Sequence, residues 1–372
     1  MPDGNTSSEG APQNAGMPRF EGRASGMGWD KLAGIAAVVA LVALGAFAYT
    51  FTSSSKEDVR AKPVKIGIAY FRQGLSSIEG LKKKLAELGY SNVTYVEEEI
   101  VIGPTLDADT EKALTKMILE DKVDLIWEDH EFQAKTALAV TAKLDRQDIP
   151  VVFLSRFHNP VAYGLAASFK SSGNNLTGVV EDLATVAQRD LGFLREIDPA
   201  VKKVGIFSDG FMVPGISDEY LVHLKEQTQK SGFQLIEYTT KVPPPEAERV
   251  WHEMADAIKP GDIDALMHLP GHFYNPQEYA EYDLAKRLGI PHSVPYEDLD
   301  GGGHFAYSSN FAASGEQSAI MVDKILQGAK PSDIPIEYGE TSRLALNLKR
   351  AQETGITFSD SMLYIATEQR DE

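Results

Sequence analysis

From Pro63 onward the chain keeps a regular rhythm of apolar and polar positions. VKIGIAY (64–70) is a short β-branched run, and LSSIEGLKKKLAELG (75–89) repeats its apolar positions every three or four residues before a Gly stop. NVTYVEE (92–98), VDLIWE (123–128) and IPVVFL (149–154) read as further strands, with helices predicted over 108–120 and 132–143. The rhythm restarts after a break near residue 180. VKKVGIFSD (201–209), FQLIEYTT (233–240), IDALMHL (263–269) and IPHSVPY (290–296) are the strands of this second half, and helices are expected over 216–231, 246–258 and 276–288.

Strands alternating with helices of this length predict an α/β architecture of parallel sheets covered on both faces. The second set restarts with a strand similar to the first, so two lobes, each a doubly wound parallel sheet, fit better than one large sheet. Ligands of such sheets sit beyond the carboxyl ends of the strands. Two lobes facing each other would therefore line one cleft and bury a ligand on closing.

A different pattern precedes this domain. LAGIAAVVALVALGAFAYTF (32–51) carries no charge, and as a helix it would span about 30 Å, the thickness of a bilayer core. Residues 31–52 are expected to form a transmembrane helix or uncleaved signal anchor, residues 1–30 a disordered Gly/Ser/Pro/Asn-rich tail, and residues 53–62 a linker. The long tail ahead of the apolar run favours an anchor; the small residues Ala46 and Ala48 leave the alternative of cleavage near Ala48 and release. Basic residues stand on both sides, Arg19, Arg23 and Lys31 before and Lys56, Arg60, Lys62 and Lys65 after, so charge alone does not orient the segment.

Composition narrows the chemistry. Of 372 residues, 43% are apolar and 24% charged, enough for a substantial core, and the net charge of −18 with no basic stripe argues against a nucleic-acid partner. The absence of cysteine excludes disulfides, thiol nucleophiles, Cys-bound zinc and a lipidated cysteine. No P-loop, Gly-rich dinucleotide turn, G-x-S-x-G or H-E-x-x-H occurs. The clusters EDHE (128–131) and HLPGH (268–272) carry potential metal ligands, but Pro270 and Gly271 break any helix that would put both histidines of the second on one face. A non-enzymatic protein with no cofactor and no metal is the expectation.

The predicted strand ends carry aromatic and charged residues together. In the first half they are YFRQG (70–74), EDHEF (128–132) and SRFHNP (155–160); in the second, SDGFMVPG (208–215), LPGHFYNP (269–276) and YEDLDGGGHF (296–305). The candidate ligand-binding residues are Tyr70, Phe71, Arg72, Asp129, His130, Ser155, Arg156, Phe157, Asp209, His272, Tyr274, Tyr296 and Asp298. Arg72 or Arg156 is suited to hold a carboxylate in a bidentate fork, Asp209 or Asp298 an ammonium, and the aromatics an apolar or cationic body. A small zwitterion or other amphipathic metabolite is the expected solute.

An ordered series of segments, IPVVF…NP (149–160), GNNLTGV (173–179), KKVGIFSD (202–209), DKILQGAKPSDIPIE (323–337) and LALNLKRAQETGITFSDSML (344–363), resembles the tryptophan/tyrosine-type ABC transporter substrate-binding protein family. The resemblance implies a periplasmic binding protein type I clamshell and a receptor that passes a small, amino-acid-like or aromatic metabolite to an ABC permease with its ATPase. It also implies three crossings between lobes: after NLTGV, at Gly301–Gly303, and around 331–340. Lobe 1 would then comprise 63–180 and 305–330, and lobe 2 181–304 and 338–372. On this reading the large domain faces the periplasm or cell exterior, held to the cytoplasmic membrane by a single pass through 32–51. The alternative is a membrane-tethered sensory receptor that uses the same clamshell to signal through a partner. EDHEF (128–132), LPGHFYN (269–275) and EDLDGGGH (297–304) depart from the family's usual pocket loops, so the resemblance does not carry solute identity.

Overall fold

In the computed structural model, which describes residues 59–209, 218–242, 244–269 and 280–371, the apolar runs become the strands of two sheets. The first contains β1 (Val64–Tyr70), β2 (Val93–Glu99), β3 (Leu125–Glu128), β4 (Val151–Ser155) and β5 (Leu176–Val180). A late strand, β11 (Glu337–Tyr338), joins it, giving the order β11-β5-β4-β3-β1-β2 with every pair parallel. β3, β4 and β5 are buried at every position, as strands covered on both faces must be. β2 lies at the edge and exposes Glu97, Glu98 and Glu99, charges that discourage pairing with another chain.

Helices α1 (Leu75–Glu87), α2 (Leu106–Lys116) and α3 (Glu131–Lys143) cover this sheet. Leu114, Ile126, Ala137 and Phe153 fill one side of it, and Ile66, Ile68, Leu81 and Trp127 the other. The second side is completed by α8 (Phe311–Leu326), which arrives from far along the chain. Glycines on both helices permit the approach. A Cβ on Gly80 would stand 2.0 Å from the Ala312 carbonyl oxygen, and one on Gly315 2.0 Å from that of Ser77. Trp127 Nε1 donates to Ser318 Oγ at 3.0 Å, tying α8 to the middle of the sheet.

The second sheet contains β6 (Lys203–Asp209), β7 (Gln234–Thr240), β8 (Ala265–His268), β9 (His292–Ser293), β10 (Phe305–Ser309), β12 (Ser342–Asn347) and β13 (Glu368–Arg370). Their order is β13-β12-β10-β9-β8-β6-β7. Helices α4 (Leu183–Ile197), α5 (Asp218–Ser231), α6 (Pro244–Ala257), α7 (Ala280–Leu288), α9 (Leu348–Thr354) and α10 (Asp360–Ile365) accompany it. This sheet is mixed, which corrects the expectation of two parallel sheets. β10 and β12 are antiparallel, with Ser309 opposite Ser342. The reason is topological: β10 carries the chain out of this lobe and β12 carries it back, so exit and entry lie side by side.

The chain passes between the sheets at three adjacent places. β5 ends at Val180 and α4 packs into the second core through Leu183, Ala187 and Leu191. β10 ends at Ser309 and α8 begins at Phe311; β11 ends at Tyr338 and β12 begins at Ser342. Hydrogen bonds join these segments: Ser309 N–H to Glu181 Oε1 at 2.9 Å, Asn310 N–H to Thr341 O at 2.8 Å and Gly339 N–H to Val180 O at 3.0 Å. Gly301–Gly303 does not form the second crossing. It follows the 3-10 turn Tyr296–Gly301 and leads into β10, still within the second sheet, and the chain leaves only at Asn310. The segment 305–330 is thus divided, its strand in the second sheet and its helix on the first.

Residues 1–58, with the expected tail, apolar segment and most of the linker, lie outside the described residues. Among the described residues no helix is long and apolar enough to cross a membrane.

Candidate functional site

The carboxyl ends of β1, β3 and β4 meet in a buried polar network. Phe71, just past β1, donates its N–H to Asp129 Oδ1 at 3.2 Å. A Cβ on Gly74 would stand 1.9 Å from Asp129 Oδ2, so only glycine lets the β1–α1 turn close over that carboxyl. Arg156 reaches back across the strand ends, its Nε donating to Asp129 O at 3.1 Å and its Nη2 to Ser77 Oγ at 3.2 Å. The guanidinium carbon lies 3.9 Å from the centroid of the Phe311 ring at the second crossing. Burial pushes Asp129 up to about 6, against the pull of Arg156. Burial, with the nearby charge of Asp129, also pushes Glu128 well above the usual carboxylate range.

Glu131, in the first turn of α3, organises the loop after β4. Its carboxylate accepts from Arg156 N–H at 2.9 Å and Phe157 N–H at 3.0 Å, and His158 Nδ1 lies 2.7 Å away. Burial opposes its charge, but His130, His158 and these backbone donors outweigh that and hold Glu131 down at about 2. Ser155 Oγ donates to His158 O at 2.5 Å, closing the same turn. Above this network stands an aromatic wall: His130 stacks on Phe132 and His158 on Tyr163, each with centroids 4.5 Å apart, and Phe71 and Phe157 meet His130. Burial keeps His130 neutral, lowering it to about 4.

The second lobe contributes a separate group. Two arginines approach the Tyr296 ring: Arg343 with its guanidinium carbon 3.1 Å from the centroid, and Arg370 at 4.8 Å. Tyr296 O–H donates to Glu368 Oε2 at 2.6 Å. Asp298 is pushed up to about 7 by burial and by the nearby Glu297 and Glu281. His268, at the end of β8, holds its Nδ1 against Glu281 and has its Nε2 3.9 Å from Asp298 Oδ2. Glu181, at the first crossing, is raised to about 7 by burial although Ser309 N–H and the charge of Arg156 favour its ionised form. The two lobes also touch through Asn159 N–H, which donates to Glu219 Oε2 at 2.6 Å.

The candidates fall into distinct surroundings. Tyr70, Phe71, Asp129, His130, Ser155, Arg156 and Phe157 gather at the first lobe's strand ends, and Tyr296 and Asp298 at the second's. Arg72 stands apart: its side chain is 77% exposed and paired with Glu99 on the edge strand. Asp209 ends β6, with its side chain outside the described set, and His272 and Tyr274 lie outside the described residues. Sequence reasoning missed Glu131, Glu181, His268, Glu281 and Arg343. Of these, Glu131 and His268 stood in the clusters EDHE and HLPGH, weighed there only as potential metal ligands, whereas Arg343 lies in the C-terminal part of the chain that periodicity had not resolved into strands. Among the described residues no group of three or more His, Asp and Glu is arranged to hold a metal ion.

Comparison with known proteins agrees with this architecture. The model of a family described as "ABC transporter substrate binding protein" matches residues 67–258 and 290–370. A search of curated proteins finds no match. Among solved structures, an ABC domain from Streptococcus pneumonia in complex with L-Trp is 21% identical, covering 83% of this chain and 100% of its own, with a TM-score of 0.66. A ligand-free, open substrate-binding protein with adhesive properties from Clostridium difficile is 20% identical over 83% of this chain and 100% of its own, again with a TM-score of 0.66. A solute-binding protein from Agrobacterium vitis bound with α-D-tagatopyranose shares the fold more distantly, at 14% identity over 82% of this chain and 99% of its own and a TM-score of 0.56. Two lobes joined by three adjacent crossings, and a family match spanning most of both, lead to one conclusion: the chain belongs to the ABC transporter substrate-binding protein family.

Proposed function

We propose that this protein is an extracytoplasmic solute receptor of an ABC importer, closing its lobes on a small amino-acid-like or aromatic metabolite and delivering it to a permease. The observation that carries this reading is the gathering of aromatic and charged side chains at the carboxyl ends of both sheets, beside the crossings about which the lobes would turn. Contacts from both lobes favour a closed state only to the extent that the ligand binds it better than the open one. The aromatic wall of His130, Phe132, Phe157 and Tyr163 suits a flat apolar side chain, in keeping with the L-Trp of the Streptococcus neighbour.

The apolar segment 32–51 would anchor the receptor with the large domain outside, raising its effective concentration at the permease. Native mass spectrometry of the full chain, released gently in detergent from its own membranes, tests the reading. A discrete adduct lost on denaturation, with a mass matching an amino-acid-like metabolite, supports it. A bare protein mass, together with no thermal stabilisation by any of a broad panel of metabolites, counts against it.

A further inference from the structure

We propose that Arg343 faces Arg156 across the second crossing and that the two arginines, one from each lobe, form a binding site for an anionic group of the solute, a carboxylate above all. This deepens the receptor reading above and rests on it.

The geometry begins with the chain segment both residues touch. Arg343 is the second residue of β12 and pairs with Ser308 of β10. Its Nε lies 3.5 Å from Ser308 Oγ. Arg156 comes from the other lobe and lays its guanidinium on Phe311. Ser308 and Phe311 are three residues apart, about 10 Å of fully extended chain. The two cations, one from each lobe, therefore converge on one short stretch of the hinge. Burial holds Arg343 below the usual guanidinium range, and the charge of Arg156 works in the same direction. Like charges meeting across a hinge oppose closure until an anion enters between them.

The surroundings of Arg343 differ from those of its neighbours. Arg370, also against the Tyr296 ring, pairs with Asp300 at 2.7 Å and Glu368 at 2.6 Å. Arg343 keeps only 15% of its side chain exposed, yet among the described residues its ion pair is a long one, with Glu297 Oε1 4.0 Å away. Contact with the Tyr296 ring holds the guanidinium in place, and a guanidinium presents donors in a fork that matches a carboxylate. The resident acid between the lobes is Glu181, which accepts the Ser309 N–H. A purely structural role for Arg343, as counter-ion to Glu297 and Glu368, is the competing reading, and the experiment is chosen to separate the two.

The test compares acids with analogues that lack the carboxylate charge. Thermal shift and calorimetric titration of the full chain are run with the twenty L-amino acids, their amides, and the neutral polyols myo-inositol and D-tagatose. In the wild type at least one free acid should bind, and its amide should bind at least roughly tenfold more weakly, the size of a lost charge-assisted contact. In Arg343→Gln that acid should weaken by at least roughly tenfold and the acid-over-amide preference should collapse. Arg343→Lys, which keeps the charge without the fork, should retain part of the preference and guards against misfolding of the first variant.

An unchanged acid-over-amide preference in both folded variants overturns the proposal and leaves the receptor reading intact. Binding of polyols alone overturns the anion site and the amino-acid-like solute class, leaving only a receptor for a neutral solute. If neither variant folds, the wild-type comparison decides: equal affinity for acid and amide overturns the anion site. No binding by any probe overturns the site and the receptor reading together.

Discussion

Replacing Gly315 by alanine should destabilise the protein, although the same change in an ordinary helix stabilises. Gly315 lies in α8, and an added Cβ would stand 2.0 Å from the Ser77 carbonyl oxygen and 3.1 Å from Leu81 N, where ordinary contact begins at 3.4 Å. The obstructing atoms are backbone of α1, so the two helices must separate by about 1 Å or more. Forcing extra volume into a packed contact costs typically 1–3 kcal/mol, and a backbone obstruction belongs at the upper end, about 3 kcal/mol. Alanine returns about 1 kcal/mol in helix propensity. The net loss is about 2 kcal/mol, or a fall in Tm of roughly 3 °C for a domain of this size.

Gly192 supplies the control. It lies in α4, is exposed, and an added Cβ would meet nothing within 4 Å. Gly192→Ala should therefore stabilise by about 0.5–1 kcal/mol. Calorimetric unfolding of both variants reads the opposite signs directly. Because Ser77 and Phe311 both hold Arg156, Gly315→Ala should also disturb the strand-end network. A Gly315→Ala protein as stable as wild type would refute the close crossing of α1 and α8, and with it the account of how α8 is seated on the first lobe.

Three further outcomes are expected. Glu131→Gln removes an ionised acceptor held at about 2 against an unfolded value of 4.5; because the folded value is depressed, its stabilisation of about 3 kcal/mol is present above pH 4.5 and is lost as pH falls toward 2. Urea titrations should show the variant weaker at pH 7 and the gap to wild type narrowing below pH 4.5; a constant gap would refute the role of the charge. Asp298 is raised to about 7 from 3.8, so its charged form is penalised in the fold and wild type loses stability as pH rises through that window. Asp298→Asn should then be more stable than wild type at pH 8, by at most about 4 kcal/mol, and nearly equal at pH 4; equal stability at both values would show Asp298 to be well solvated. Arg72→Ala loses only an exposed pair with Glu99 and should cost under about 1 kcal/mol, with solute affinity unchanged by calorimetry; a tenfold loss would return Arg72 to the site.

Much of the architecture was legible along the chain because it depends on local periodicity. VKIGIAY and VKKVGIFSD announced β1 and β6, and LSSIEGLKKKLAELG announced α1, within a residue or two. Burial on both faces makes a strand uniformly apolar, and burial on one stripe gives a helix its spacing; both marks survive in a linear sequence. The segments from IPVVF to LALNLK likewise sufficed for the family, as the match over residues 67–258 and 290–370 shows. The strand-end positions followed from the fold class, since loops after parallel strands lie on one side of a sheet.

What tertiary structure alone decided is where distant segments meet. No local pattern distinguishes Gly301–Gly303 from Asn310 as the place where the chain leaves the second lobe; the pairing of β10 with β12 does. Arg156 read as suited to hold a solute carboxylate in a bidentate fork, but Asp129 and Ser77, 27 and 79 residues away, take up part of its donors. Arg343 drew no notice beside Ser342, and becomes a candidate only because Tyr296 and Ser308 fold against it. Secondary structure is a property of neighbours in sequence, and it could be read there. A binding site is a property of neighbours in space, set by which backbone can approach which, and here a pair of glycines at 80 and 315 settles that approach.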